Sequence, residues 1–92
     1  MDGEVIRKLK IVNAKGLHAR ASAKFVEVVE AHDARAYVSK DGQETGGDSI
    51  MGLLMLAAAK GSSIDVRTTG AQAEELADAL EALVADRFGE DF

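Results

Sequence analysis

Neither cysteine nor proline occurs in these 92 residues, tryptophan is absent, and histidine appears only twice. Without thiols the chain has no disulfide framework and no thiolate zinc site, and two histidines far apart in sequence are a poor start for an imidazole site, so no metal and no cofactor are expected. Long apolar runs are missing as well. The longest, Ile50 to Ala59, is interrupted by Gly52 and falls far short of the roughly 18 residues that a membrane span needs. Positive charge is the scarcer sign: 11 Lys and Arg stand against 16 Asp and Glu, and the net charge of -5 disfavours non-specific nucleic-acid binding. The start, Met1-Asp2-Gly3-Glu4, is acidic, and the apolar segment after it is broken by Arg7, Lys8 and Lys10, unlike an export signal. A cytoplasmic protein without membrane insertion is expected.

What the chain does have is the composition of a folded domain, with 47% hydrophobic and 29% charged residues. Its length suits one modest core and leaves no room for a separate nucleotide-binding lobe, so residues 1–92 read as a single domain. No internal repeat is present, and a monomer is expected.

Val5, Leu9 and Ile11 share one face of an extended segment with Lys8 and Lys10 on the other, which predicts a first strand over Val5 to Val12, with Arg7 breaking the parity. From Ala19 to about Ala31 the period changes: Ser22, Phe25, Val26 and Val29 form the stripe of an amphipathic helix. Ala34, Ala36 and Val38 then alternate with Arg35, Tyr37 and Ser39 before Asp41-Gly42, a hairpin turn dipeptide, and a short return strand, Gln43 to Thr45. The stretch Ile50 to Ala59 reads as a helix capped by Ser49 or Asp48, with Leu53 and Leu56 inward. Ile64 and Val66 mark a fourth strand. Ala73, Leu76, Ala77, Leu80, Leu83 and Val84 mark a last helix whose other face, Glu74, Glu75, Asp78 and Glu81, is solvated. The order βαββαβα predicts an α/β (α+β) open-faced sandwich: a four-stranded antiparallel sheet, wet on one face, with three helices on the other.

The chemistry concentrates in Asn13-Ala14-Lys15-Gly16-Leu17-His18-Ala19-Arg20-Ala21-Ser22, where a strand gives way to a helix. The first N–H groups of a helix have no intrahelical partner and carry about half a positive charge, so a group ionised on the His18 ring would be received by the backbone, with Arg20 adding a permanent cation. Imidazole is a nucleophile near neutral pH that can take a phosphoryl group and release it again. The plainer alternative is that His18 only caps the helix. His32, near the end of that helix, reads as structural, and Gly46-Gly47, with no Gly-Lys-Ser/Thr ending, as a turn rather than a phosphate loop.

The string Gly16-Leu17-His18-Ala19-Arg20, small residues and then Phe25-Val26 resembles the active-site signature of the HPr family, the histidine-containing phosphocarriers of the bacterial phosphoenolpyruvate phosphotransferase system. Ser49-Ile50-Met51-Gly52-Leu53 resembles the segment around that family's regulatory serine, and Leu54 to Gly61 looks like the nitrogen-related (NPr-like) branch. The resemblance spans nearly the whole chain. It implies the HPr-like fold and a phosphoryl-transfer intermediate rather than a stand-alone enzyme. His18 would be phosphorylated on Nδ1 by Enzyme I and would pass the group to an EIIA-type acceptor, with Arg20 neutralising the phosphate. Ser49 would be the target of an HPr kinase/phosphorylase, or else merely an N-cap. Ile50, Met51 and Leu54 would form an exposed apolar docking patch, with Lys24 one turn after Arg20 meeting acidic partners.

Two positions depart from the family pattern. Ala21 stands where proline usually follows the arginine, restoring an N–H and loosening the first turn, and Asp48 replaces a common lysine before the serine. A non-catalytic regulatory module, binding partners through the second helix and switched by phosphorylation of His18 or Ser49, is the competing reading.

Overall fold

Three segments in which apolar and polar residues alternate, and one short polar segment, become four antiparallel strands in the computed structural model, which describes residues 3–92; Met1 and Asp2 of the acidic start lie outside it. Strands β1 (Glu4–Lys10), β2 (Arg35–Lys40), β3 (Gln43–Gly46) and β4 (Ser63–Thr69) lie side by side in the order β1-β4-β2-β3. The register sets Leu9 opposite Ile64, and Val66 opposite Val38, so the centre of one face of the sheet is apolar and buried. On the opposite, wetter face the Arg67 guanidinium stands 4.3 Å from the centre of the Tyr37 ring. At the β2–β3 hairpin, Asp41 and Gly42 have φ of 51° and 83°, the pair of positive angles that a two-residue turn of this hand requires.

Helices α1 (Ala19–Glu30), α2 (Ile50–Met55) and α3 (Ala73–Ala85) supply the second layer. Phe25 from α1, Leu53 from α2, and Leu76 and Leu80 from α3 are completely buried against the sheet. The stripe expected of α1 is the buried one, with Ala21, Ser22, Phe25, Val26 and Val29 inside. Among the described residues no helix is long and apolar enough to cross a membrane.

Three local expectations need correction. The second helix ends at Met55, with Leu56 as its cap, instead of running to Ala59. Ala57 adopts a left-handed φ of 51°, and the turn buries Ala58 and aims its carbonyl at the Leu17 N–H, so the apolar run is satisfied by a bend that periodicity does not reveal. The β1 ladder stops at Lys10 rather than Val12, although Ile11 still donates to the Ser62 carbonyl (2.8 Å) and accepts from the Gly61 N–H (2.7 Å). Arg7 does not merely break a pattern. It shares the helix-facing side with Leu9 and donates to Asp78 (2.6 Å) and Glu81 (2.7 Å) on α3, which raises its already high pKa chiefly through those two hydrogen bonds. The acidic face of α3 is therefore paired in part, through contacts exposed enough that salt screens them.

Candidate functional site

Residue 16 must be glycine for the site loop to close. Gly16 has a φ of +67°, and a Cβ on it would fall 2.5 Å from the Ala58 carbonyl oxygen. That same oxygen accepts the Leu17 N–H at 2.9 Å, so the bend after α2 holds the residue before His18 in place, with the Leu17 side chain buried. His18 is then the N-cap of α1 in extended conformation (φ -82°, ψ -177°), and its carbonyl accepts the Ser22 N–H at 2.8 Å. Its side chain forms no capping hydrogen bond. The ring is thus not consumed in holding the helix, and it remains 27% exposed.

The ring is engaged elsewhere, by a residue near the end of the sequence that carries no local motif. After α3, a 3₁₀ turn over Arg87–Gly89 folds the chain back towards α1, burying Phe88 completely. Lys24 Nζ donates to the Phe88 carbonyl (2.6 Å), and the Ala14 N–H donates to the Phe92 backbone oxygen (2.8 Å). This brings Glu90 to His18, whose Nε2 is hydrogen-bonded to Glu90 Oε2. The other carboxylate oxygen accepts from Asn13 Nδ2 at 3.1 Å, and Nδ2 also donates to the Gly16 carbonyl at 2.8 Å. The bond from His18 holds the Glu90 carboxyl below its ordinary pKa of 4.5, helped by Asn13 and by the positive charge of Lys15, against the opposing effect of partial burial. A depressed carboxyl favours the fold above its ordinary pKa, and that contribution fades as pH falls through the lowered value.

Sequence offered one faint signal for this arrangement. Phe88 follows Leu80 and Val84 at helical spacing, which marks it as a core candidate beyond the last helix. Glu90 and Asn13 gave none, since 77 positions separate them. Asn13 is fully buried, and its Oδ1 has no hydrogen-bond partner among the described residues.

The remaining expected residues fall into three groups. Arg20 is exposed and borders a cleft of about 340 Å³ with Lys15, Lys24 and Glu90, so its charge is brought to the same place as the His18 partner. No ion pair among the described residues takes up Arg20, whereas the Lys24 ammonium is committed to the Phe88 carbonyl. On α2, Ile50 and Met51 are 41% and 70% exposed, Leu54 is half-buried and Leu53 is buried, the division expected of a docking patch. Met55, 72% exposed, extends that surface and was not singled out by its sequence context. Ser49 is the N-cap of α2, its Oγ accepting the Gly52 N–H at 2.9 Å. Ser49→Ala should therefore cost about 1 kcal/mol of stability, readable as a lowered urea midpoint at unchanged slope. His32 Nδ1 donates to the Val28 carbonyl (2.7 Å) at the end of α1, a structural role, and the Gly47 N–H is spent on the Ala36 carbonyl (2.8 Å) rather than on a phosphate loop. Ala21, at the position of the departure, is fully buried in the first turn of α1. Among the described residues no three His, Asp or Glu side chains stand together as metal ligands would.

Comparison with known proteins places this geometry in a family. The family described as "PTS HPr component phosphorylation site" matches residues 5–86. The phosphocarrier protein HPr of Cupriavidus necator is 44% identical over 84 residues, covering 91% of this chain and 94% of its own. The phosphocarrier protein NPr of Escherichia coli K12 is 40% identical over 88 residues, covering 95% of this chain and 98% of its own. A crystal structure of HPr-C-His from Thermoanaerobacter tengcongensis superposes with a TM-score of 0.88 at 33% identity, over 98% of this chain and 99% of that one. The match runs through the His18 loop, all four strands and all three helices, and on it the chain belongs to the HPr family of phosphotransferase-system phosphocarriers.

Proposed function

We propose that this phosphocarrier accepts a phosphoryl group on Nδ1 of His18 from Enzyme I, which draws it from phosphoenolpyruvate, and delivers it to an EIIA-type acceptor. The observation that carries this reading is the state of the His18 ring: it sits at the opening of α1, caps nothing, is tied at Nε2 only, and has no hydrogen bond at Nδ1 among the described residues. A phosphoryl group on Nδ1 would lie near N–H groups of the first turn that have no intrahelical partner. The helix terminus contributes roughly 0.3 to 1 kcal/mol and charge-assisted bonds from Arg20 roughly 1.5 to 3 kcal/mol, enough to position the group and too little to trap it. Positioning is most of what phosphoryl transfer asks of a protein.

The exposed apolar side of α2, Ile50, Met51 and Leu54, supports docking of Enzyme I and of the acceptor in turn. Ser49, half-buried at the head of that helix, is the site where an HPr kinase/phosphorylase would act. A phosphate there would keep a favourable place at the helix N-terminus while adding negative charge to the docking side, so it would hinder partners more than it would unfold the domain.

Incubating the full chain with phosphoenolpyruvate and Enzyme I should give an acid-labile, base-stable phosphohistidine that is lost when an EIIA acceptor is added. Label that forms but never leaves would assign the chain to the regulatory-module reading instead. No label would remove the proposal.

A further inference from the structure

The geometry points to Glu90 as a positioning residue that fixes the proton of the His18 ring on Nε2 and so leaves the Nδ1 lone pair to attack phosphorus. This rests on the reading of His18 as the phosphoryl acceptor. Glu90 touches the ring at Nε2 alone, and an ionised carboxylate has no proton to give, so the hydrogen in that bond belongs to the ring. Tautomer choice then follows from the pairing, because a neutral imidazole protonated at one nitrogen presents a lone pair at the other.

The carboxylate is itself held from behind. Asn13 grips its second oxygen, and the same amide nitrogen donates to the Gly16 carbonyl, so the position of Glu90 is referred to the backbone of the loop that carries His18. Asn13 is fully buried, and both partners of its Nδ2 are oxygen acceptors, which fixes the direction of the grip. The segment bearing Glu90 is anchored on both sides, by the buried Phe88 ring and the Lys24 bond before it and by the Ala14–Phe92 backbone bond after it. Together these hold a carboxylate at one atom of one ring.

During transfer the Nδ1 electron pair forms the new N–P bond while the bond from phosphorus to the donor breaks, its electron pair leaving with the donor. The ring keeps its Nε2 proton and becomes an imidazolium. Glu90 faces that positive charge as it develops, an interaction stronger in the transition state than before it. When the phosphoryl group passes on, the N–P pair returns to Nδ1 and the ring is neutral again. No proton has to enter or leave. Lys15, Arg20 and Lys24 border the same cleft as Glu90 and Asp91, and their three positive charges counter the repulsion that these carboxylates exert on an arriving phosphoryl dianion.

The test compares the full chain with its Glu90→Ala and Glu90→Gln variants, each checked for folding by amide NMR dispersion. Phosphoramidate, which phosphorylates imidazole without a protein donor, should give mainly the Nδ1 isomer on His18 in the parent, read by ³¹P and ¹⁵N NMR. In Glu90→Ala the ratio of Nδ1 to Nε2 isomer should fall about tenfold, and the initial rate of labelling from phosphoenolpyruvate through Enzyme I should fall by a similar factor, as expected for loss of one charge-assisted hydrogen bond. Glu90→Gln has one acceptor oxygen for two donors, His18 Nε2–H and Asn13 Nδ2–H, and carries no charge, so the isomer ratio and the rate should both fall, the ratio by less than in Glu90→Ala. An unchanged isomer ratio or an unchanged Enzyme I rate in Glu90→Ala overturns the proposal. A parent chain that Enzyme I cannot label, but whose phosphoramidate isomer ratio still depends on Glu90, would remove the phosphocarrier reading while leaving the positioning role intact.

Discussion

His18→Ala should abolish phosphohistidine formation from phosphoenolpyruvate and Enzyme I while lowering folding stability by no more than about 1 kcal/mol. The two halves of that expectation come from different parts of the structure. Loss of label follows because no other side chain replaces the imidazole at the head of α1: His32 lies at the far end of the helix with its Nδ1 bonded to the Val28 carbonyl. The small cost in stability follows because the His18 backbone, not its ring, starts the helix, through the 2.8 Å bond from the Ser22 N–H. Removing the ring deprives Glu90 of one partner, but that carboxylate stands at the rim of a cleft where water can replace it. Equal labelling of His18→Ala, or loss of label in His32→Ala, would move the phosphoryl site away from α1. A large drop in the melting temperature would instead make His18 a structural residue.

Much of the fold was legible because its elements repeat a pattern with few exceptions. The α1 stripe of Ser22, Phe25, Val26 and Val29 and the α3 stripe of Leu76, Ala77, Leu80 and Val84 are the buried faces, and Asp41-Gly42 forms the turn its residue types require. Apolar content did not disclose where a helix stops. Ile50 to Ala59 looks uniformly helical, yet Leu56 and Ala58 are buried on either side of Ala57, whose left-handed conformation ends α2 without glycine or proline to announce it.

The candidate site divides along the same line. Its first part, His18 and Arg20, was readable because both lie in one short run at a change of period, where chain order and spatial order coincide. Its second part was not, because Glu90 reaches His18 across 72 positions and only after the chain turns through three consecutive positive φ angles, Arg87 at 57°, Phe88 at 53° and Gly89 at 77°. No local periodicity encodes such a reversal. The unpromising residue types there, an arginine and a phenylalanine in a region that favours glycine, point away from it.

That strain makes Phe88 the residue on which the rest of the site is expected to depend most. A left-handed backbone costs a residue with a Cβ roughly 1 to 2 kcal/mol, and here two adjacent residues adopt it. The compensating gain is the complete burial of the Phe88 ring within the core, alongside the α1 and α3 side chains. Phe88→Ala keeps the Cβ and hence the strain, and gives up the burial, so stability should fall by about 3 to 5 kcal/mol, measured as a lower urea midpoint. The segment after α3 should then detach. With His18 and Asn13 no longer held against it, the Glu90 carboxyl should titrate nearer its ordinary value of 4.5, upward from its depressed position in the parent, as followed by carbonyl ¹³C shifts under conditions where the variant is still folded. Isomer selectivity at His18 should be lost along with it, as in Glu90→Ala. A Phe88→Ala protein that lost less than about 1 kcal/mol, or that kept a depressed Glu90 carboxyl, would show that the hydrogen bonds from Lys24, Asn13 and Ala14 hold this segment by themselves and that the buried ring is incidental to the site.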